Sequence, residues 1–385
     1  MSAALLPFVA TQRLTDHHCH GVLREGGNLE ALLTEGDGGL SAGGTAFDSL
    51  AGLAFRRWCA PVLDLPAHAP VAEYEARRAS IGPVEVNKRF LGACGIGALC
   101  VDTGFRPRAL LSPAETAAFA GAAAFEIVRL EQVAEALDAR EIGPVGFADA
   151  YRGALATRVT SPAADVPVVG VKSIAAYRTG LDLDGQRPSD AEVAAAVERW
   201  LKADADAPGA AEPRLADETL HRFFVWCGVD LGLPIQFHVG YGDRDIDLHR
   251  CNPLLLTDLL RALEPTGVPV MLLHNYPYHR EAGYLAQVFP HVYADLGLAT
   301  HNLGSRAYAV LAEALEMVPL RKFLFSSDAF GLPELYYLGT TLFRQGLSQF
   351  LQARLDSGDL SFDDAERITG LIGSGNARRA YRIAA

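Results

Sequence analysis

Pro269-Val270-Met271-Leu272-Leu273-His274 is an apolar run that opens on proline and closes on an imidazole. Its length suits a β-strand. Its lack of apolar/polar alternation suits a strand covered on both faces, as in a parallel sheet. Runs of the same kind occupy Val168–Ile174, Pro234–Val239, Val292–Leu296 and Lys322–Ser327. Helical patterns separate them at Asp190–Ala203, Asp217–Leu231, Pro253–Leu263, Arg280–Val288 and Ser305–Met317. Strands that alternate with helices predict βαβ units. Upstream, Leu14–Cys19, Gly97–Asp102 and Ala124–Arg129 read as three more strands, and a total of eight favours a closed (β/α)8 TIM barrel. The doubly wound alternative needs a Gly-rich phosphate loop after a strand, and no GxGxxG or P-loop pattern follows any of these runs.

The chain reads as a single domain, 1–385, with a helical insertion over residues 22–96 after the first strand and helices at the C-terminus. Within the insertion, Phe47–Leu63 and Val71–Arg78 look helical and Gly36–Gly44 reads as a flexible, Gly-rich loop. The insertion is expected to pack over one barrel mouth and could serve as a homo-oligomer interface. Ala203–Arg214 reads as a surface loop. Phe362–Arg382 reads as two helices broken at Gly373–Gly375.

Composition narrows the function. Of the 385 residues, 34 are Lys or Arg and 46 Asp or Glu, a net charge of −12. That balance disfavours a nucleic-acid binder, which needs a basic footprint, and disfavours adhesion to anionic membranes. The apolar runs are far shorter than the roughly 20 residues a bilayer requires. The apolar N-terminus lacks a basic leader region, so a cytoplasmic protein is expected. The six cysteines form no CxxC pair, so free thiols are expected rather than a zinc ribbon or disulfide framework.

Chemistry concentrates at strand ends. In Asp16-His17-His18-Cys19-His20, strand alternation sends Asp16, His18 and His20 one way and His17 and Cys19 the other. Two imidazoles two apart on a strand converge as a first-row metal requires, although HxH alone also arises by chance. Four later runs strengthen the metal reading: they carry Lys172, His238 and His274 or lead into Asp328. Strand ends share one mouth in a barrel, and a buried charge there must be paired or bound to metal. His17, His68, His221, His249, His279, His291 and His301 read as surface or helix-face residues, and Cys19 as a small hydrophobe under the helices. Gly39-Leu40-Ser41-Ala42-Gly43 matches GxSxG but lacks the preceding strand of a nucleophile elbow, so chance is the better reading.

The motifs D-H-H-C-H (16–20), G-V-K-S-I (170–174), Q-F-H-V-G (236–240), L-L-H-N (272–275) and S-S-D (326–328) resemble the amidohydrolase superfamily, specifically its amidohydrolase-related branch. A-A-Y-R-T-G-L (175–181), G-Y-G-D-R-D-I-D-L (240–248), Y-P-Y-H-R-E-A-G-Y-L (276–285) and G-N-A-R-R-A-Y (375–381) extend the likeness over nearly the whole chain. They resemble the amidohydrolase domain fused to glutamine-synthetase-like proteins of fungi and plants. The resemblance implies one or two divalent ions, with Zn2+ the expected metal. It implies His18, His20 and Asp328 as ligands, His238 as a further ligand, and His274 as a ligand or an unligated catalytic imidazole. Lys172 would either carry a CO2 adduct that bridges two ions or stay a free amine.

From that chemistry we expect a metal-dependent hydrolase that cleaves an amide, lactone or related C–N or C–O bond of a small, carboxylate-bearing substrate. Asp328 and His274 would be catalytic. Arg178, Tyr241 and Arg280, in loops after strand ends, are the substrate-binding candidates. The alternatives are a metal-dependent decarboxylase or lyase with a free Lys172, and a signalling barrel without turnover.

Overall fold

Among the described residues, seven of the eight expected strands form one parallel sheet in chain order. They are β1 (Leu14–Cys19), β2 (Ile96–Asp102), β3 (Ala123–Arg129), β4 (Val168–Ser173), β5 (Ile235–Val239), β6 (Val270–His274) and β7 (Val292–Ala294). The structure is a computed structural model that describes residues 5–36, 44–105, 108–162, 166–206 and 215–384. Strands β1, β5 and β6 are buried along their whole length, as strands covered on both faces are, so the polar residues of β1 and β5 are buried with them. Met271 and Leu273 pack in an inner cluster with Cys100, Ile127, Leu324 and Tyr381. Val270 and Leu272 face the surrounding helices in the largest core cluster.

The eighth run departs from expectation. Lys322–Ser327 is extended but is not a strand. It makes one bridge, Phe323 to Ala294. Its backbone nevertheless bonds to both edges of the sheet. Ala294 N–H donates to Lys322 O at 3.1 Å, and Leu324 N–H to Ala294 O at 3.0 Å. On the other side His17 N–H donates to Phe325 O at 3.1 Å, and Asp328 N–H to His18 O at 3.0 Å. The regular ladder gives way because the Asp16 carboxylate takes the Ser327 N–H (2.9 Å) and Oγ–H (2.6 Å). A side chain thus supplies what a strand partner otherwise would.

Between β1 and β2 lie the helices Leu50–Trp58 and Val71–Ala93, the latter broken at Gly82 ahead of Pro83. Phe47, Phe55, Leu63, Tyr74 and Phe90 pack there with Cys19, Leu99 and Val101, and with Leu335 and Tyr336 of the helix Pro333–Ser357. Most of the Gly36–Gly44 loop, including the chance GxSxG match, lies outside the described residues. Ala203–Asp206 continue the helix Asp190–Asp206 rather than starting a loop, and 207–214 lie outside the described residues. The expected C-terminal break is a π-helical turn, Leu371–Gly375, between the helices Phe362–Gly370 and Asn376–Tyr381. All six cysteines are free and buried. Among the described residues no helix is long and apolar enough to cross a membrane.

The loops after β5 and β6 approach each other at Gly240 (φ 77°). A Cβ on that glycine would lie 2.2 Å from Tyr276 O, a backbone atom that cannot step aside. Gly240→Ala is therefore expected to cost about 3 kcal/mol, read as a lowered urea midpoint. An unchanged midpoint would show that these loops yield freely.

Candidate metal centre

Parallel strands in chain order present their C-terminal ends at one mouth. β1 delivers His18 and, just past it, His20; β4 delivers Lys172, β5 His238, and β6 His274. Asp328 follows the segment that bonds to both sheet edges. His18 Nε2 lies 3.0 Å from Asp328 Oδ1, His20 Nε2 3.4 Å from the same oxygen, and His274 Nδ1 3.5 Å from Asp328 Oδ2. One potential ligand atom from each of His18, His274 and Asp328 falls within 4.8 Å of the others, and His18, His20 and Asp102 form a second such group.

The electrostatics fit a cation. Burial pushes the His18 imidazolium down to about 4 and His238 to about 3. Burial also drives His274 well below its usual range. Burial alone would raise the Asp328 carboxyl, but His274, His18 and His20 outweigh it and hold it well below the usual carboxylate range. The result is neutral imidazoles at His18, His238 and His274 beside an ionised carboxylate. His18 Nδ1, His20 Nδ1 and His274 Nε2 are buried and have no hydrogen-bond partner among the described residues. Buried polar atoms are seldom left this way. Deprotonated imidazole nitrogens and a carboxylate oxygen are the donor set of Zn2+ and related ions.

Lys172 sits inside this group. Its Nζ lies 2.9 Å from His18 Nε2 and 3.6 Å from Asp102 Oδ2. Burial lowers its pKa. Asp102, at the end of β2, also takes Arg129 Nη2 from the end of β3 at 2.6 Å. Burial opposes ionisation of Asp102, but Arg129 and then Lys172 overcome it and hold the carboxyl far below its ordinary value. His238 joins neither ligand group: its Nε2 is 3.2 Å from Tyr241 O, and its ring lies 4.6 Å from that of His274, tilted by 54°.

These residues open onto a cavity of about 240 Å3, lined among others by His20, Arg129, Lys172, Arg178, His238 and Asp328. Arg178 therefore faces the cavity, with one contact of 3.4 Å to Glu135. Tyr241 keeps a buried hydroxyl with no partner among the described residues, and its ring meets Tyr276 edge-on. Arg280 is not brought to the group. It lies exposed on the helix His279–Val288 and pairs with Glu316 at 3.1 Å and Glu313 at 3.5 Å. The sequence reading missed Asp102 and Arg129, although each ends a strand that it had recognised. The signal was the one used for Lys172, a charge at the close of an apolar run. Phe105 and Phe330, whose rings lie 5.0 Å apart beside His20, carried no such mark.

His17 also differs from expectation. The β1–β2 register is broken between Asp16 and Cys19, so simple alternation fails. His17 is fully buried and bonds to Asp295 and Tyr381. His221, His279, His291 and His301 are likewise buried, whereas Cys19 packs among apolar side chains as expected.

The sequence profile of the amidohydrolase family matches residues 171–383. The crystal structure of a Lactobacillus casei protein, provisionally described as a metal-dependent hydrolase, is 32% identical and superposes with a TM-score of 0.82 over 97% of this chain and 96% of that one. The chain belongs to the amidohydrolase family. Protein fluG of Emericella nidulans is 34% identical over 235 residues, which are 58% of this chain and 27% of fluG. The chain thus spans about a quarter of that relative's length. The uronate isomerase of Thermotoga maritima, 12% identical with a TM-score of 0.63 over 97% of this chain and 95% of that one, shares the fold.

The depressed imidazoles give the metal-free protein a pH signature. Below about 6.5 the unfolded chain takes up protons that folded His18 and His238 refuse until about 4 and 3. Stability therefore falls as pH drops through that window, by up to about 3–4 kcal/mol per imidazole. Asp16, raised by burial to about 7, works in the opposite sense and offsets one of them. His274, His291 and His301, also held low by burial, add to the loss, so after chelation urea unfolding is expected to show a net loss of at least about 3 kcal/mol between pH 7 and 4. A flat profile would mean that these imidazoles are not held neutral.

Proposed function

We propose that this chain is a metal-dependent hydrolase that uses water to cleave an amide, lactone or related C–N or C–O bond of a small, carboxylate-bearing substrate. The observation that carries the reading is the convergence of His18, His20, His274 and Asp328 with three buried imidazole nitrogens left without a hydrogen-bond partner among the described residues. In this reading those residues hold one or two divalent ions, with His238 close by. Zn2+ is the expected metal, because imidazole and carboxylate donors suit it. Held there, such an ion would supply a water of pKa about 7 and polarise a carbonyl. We read the extended segment 322–329 as the eighth member of a closed (β/α)8 barrel.

The side chains divide the remaining work. Asp328, ionised and lining the cavity, takes a proton from the attacking water and passes it to the leaving group. His274, neutral beside it, keeps that carboxylate oriented. Arg178 receives the substrate carboxylate, with Arg129 adding positive charge on the same wall. The buried Tyr241 hydroxyl is available to a bound substrate. Phe105 and Phe330 shield the mouth from bulk water. Burial favours the neutral amine of Lys172, the form that can take up CO2, and we assign it a CO2 adduct, to be sought in the intact mass.

Screening amides, lactones and related esters with metal-loaded protein tests the reading. With a substrate in hand, Asp328→Asn is expected to keep the fold and to lose at least about 100-fold in kcat. His18→Ala is expected to lose metal as well as activity. Full activity in Asp328→Asn would place the base elsewhere.

A further inference from the structure

Beyond β6 the backbone does something unusual. Two successive residues with side chains, His274 (φ 69°) and Asn275 (φ 59°), adopt the left-handed conformation. Such residues persist only where the surroundings hold them. Here the holder is Asp295, immediately past β7. Its Oδ1 accepts the His274 N–H at 2.5 Å, and its backbone oxygen accepts the Asn275 side-chain amide at 3.0 Å.

Asp295 is itself fixed. Its Oδ2 accepts His17 Nε2–H at 2.7 Å and Ser326 Oγ–H at 2.6 Å. The Tyr381 hydroxyl donates to His17 Nδ1 at 3.0 Å, and Gln236 Nε2–H donates to the Tyr381 oxygen at 2.7 Å. With His17 protonated on Nε2, every donor in this chain meets an acceptor. Asp295, His17, His274, Gln236 and Tyr381 are all buried. The imidazole of His274 also has no slack on that side. A Cβ on Gly297 would lie 2.5 Å from His274 Nδ1 and 2.8 Å from Ser326 Oγ.

We infer that Asp295 is a positioning residue: through the His274 backbone it fixes where that imidazole sits in the metal centre, and His17 and Ser326 hold it for that task. The inference rests on the reading of His274 as a metal ligand. Nothing in it requires Asp295 to touch metal or substrate. Asp295→Asn keeps the shape but gives up an acceptor, setting an N–H against one of three donors.

The test uses Co2+ as the probe, in the full-length protein. Two readouts are independent of turnover: the visible absorption of the Co2+-loaded protein and the rate of Co2+ loss to excess chelator. Asp295→Asn is expected to alter the spectrum at equal Co2+ content and to speed loss by about tenfold or more. Ser326→Ala, which removes one donor to Asp295, is expected to move both readouts the same way by about threefold, and it decides the matter should Asp295→Asn fail to fold. A purely structural role would lower the unfolding midpoint while leaving the spectrum superimposable. A superimposable spectrum with loss rates within about twofold overturns the proposal. His274→Ala separates the two levels. If it leaves the Co2+ spectrum unchanged, His274 is not a ligand, and the metal-centre assignment on which the proposal rests fails with it.

Discussion

A carboxylate can be buried among imidazoles only where the charges around it balance. Asp328 sets that condition for the whole molecule. It reaches the mouth of the sheet because the segment before it bonds on one side to Ala294 and on the other to His17 and His18. It stays ionised because three imidazoles surround it. Of these, His18 and His274 stay neutral because they are buried. The nearby Asp102 and Arg129 compensate each other as a separate pair. What is left over is a group of unclaimed lone pairs with a net demand for positive charge.

The fold supplies this arrangement cheaply. Parallel strands in chain order bring the ends of β1, β2, β3, β4, β5 and β6 together, and each needs only one polar residue at its close. The body of β6 can then remain apolar on both faces. That division is why a sheet read from runs such as Pro269–His274 also locates the candidate site.

Much of this was legible in the sequence for the same reason. Apolar runs bounded by helical patterns mark the strands, and His18, Lys172, His238 and His274 interrupt or end them. What was not legible depended on departures from regular geometry. The register break in β1 sends His17 to Asp295 rather than to the helices. The Asp16 carboxylate replaces a ladder at Ser327 and leaves Lys322–Ser327 short of being a strand. Asp102 and Arg129 neutralise each other across adjacent strands, a pairing that no single run reveals. Arg280 was drawn outward by Glu313 and Glu316, acidic partners on another part of the chain. The resemblance of motifs pointed to the family, but the substrate-facing side chains lie in loops whose course no periodicity encodes.

The central claim is that His18, His20, His274 and Asp328 form a metal centre. Elemental analysis of the protein, purified without chelator and referred to accurate protein concentration, tests it most directly. The account predicts one or two equivalents of a divalent transition metal per chain, Zn2+ foremost. A protein that carries no stoichiometric metal, and takes up none from Zn2+, Mn2+ or Co2+ supplied in slight excess, would contradict it.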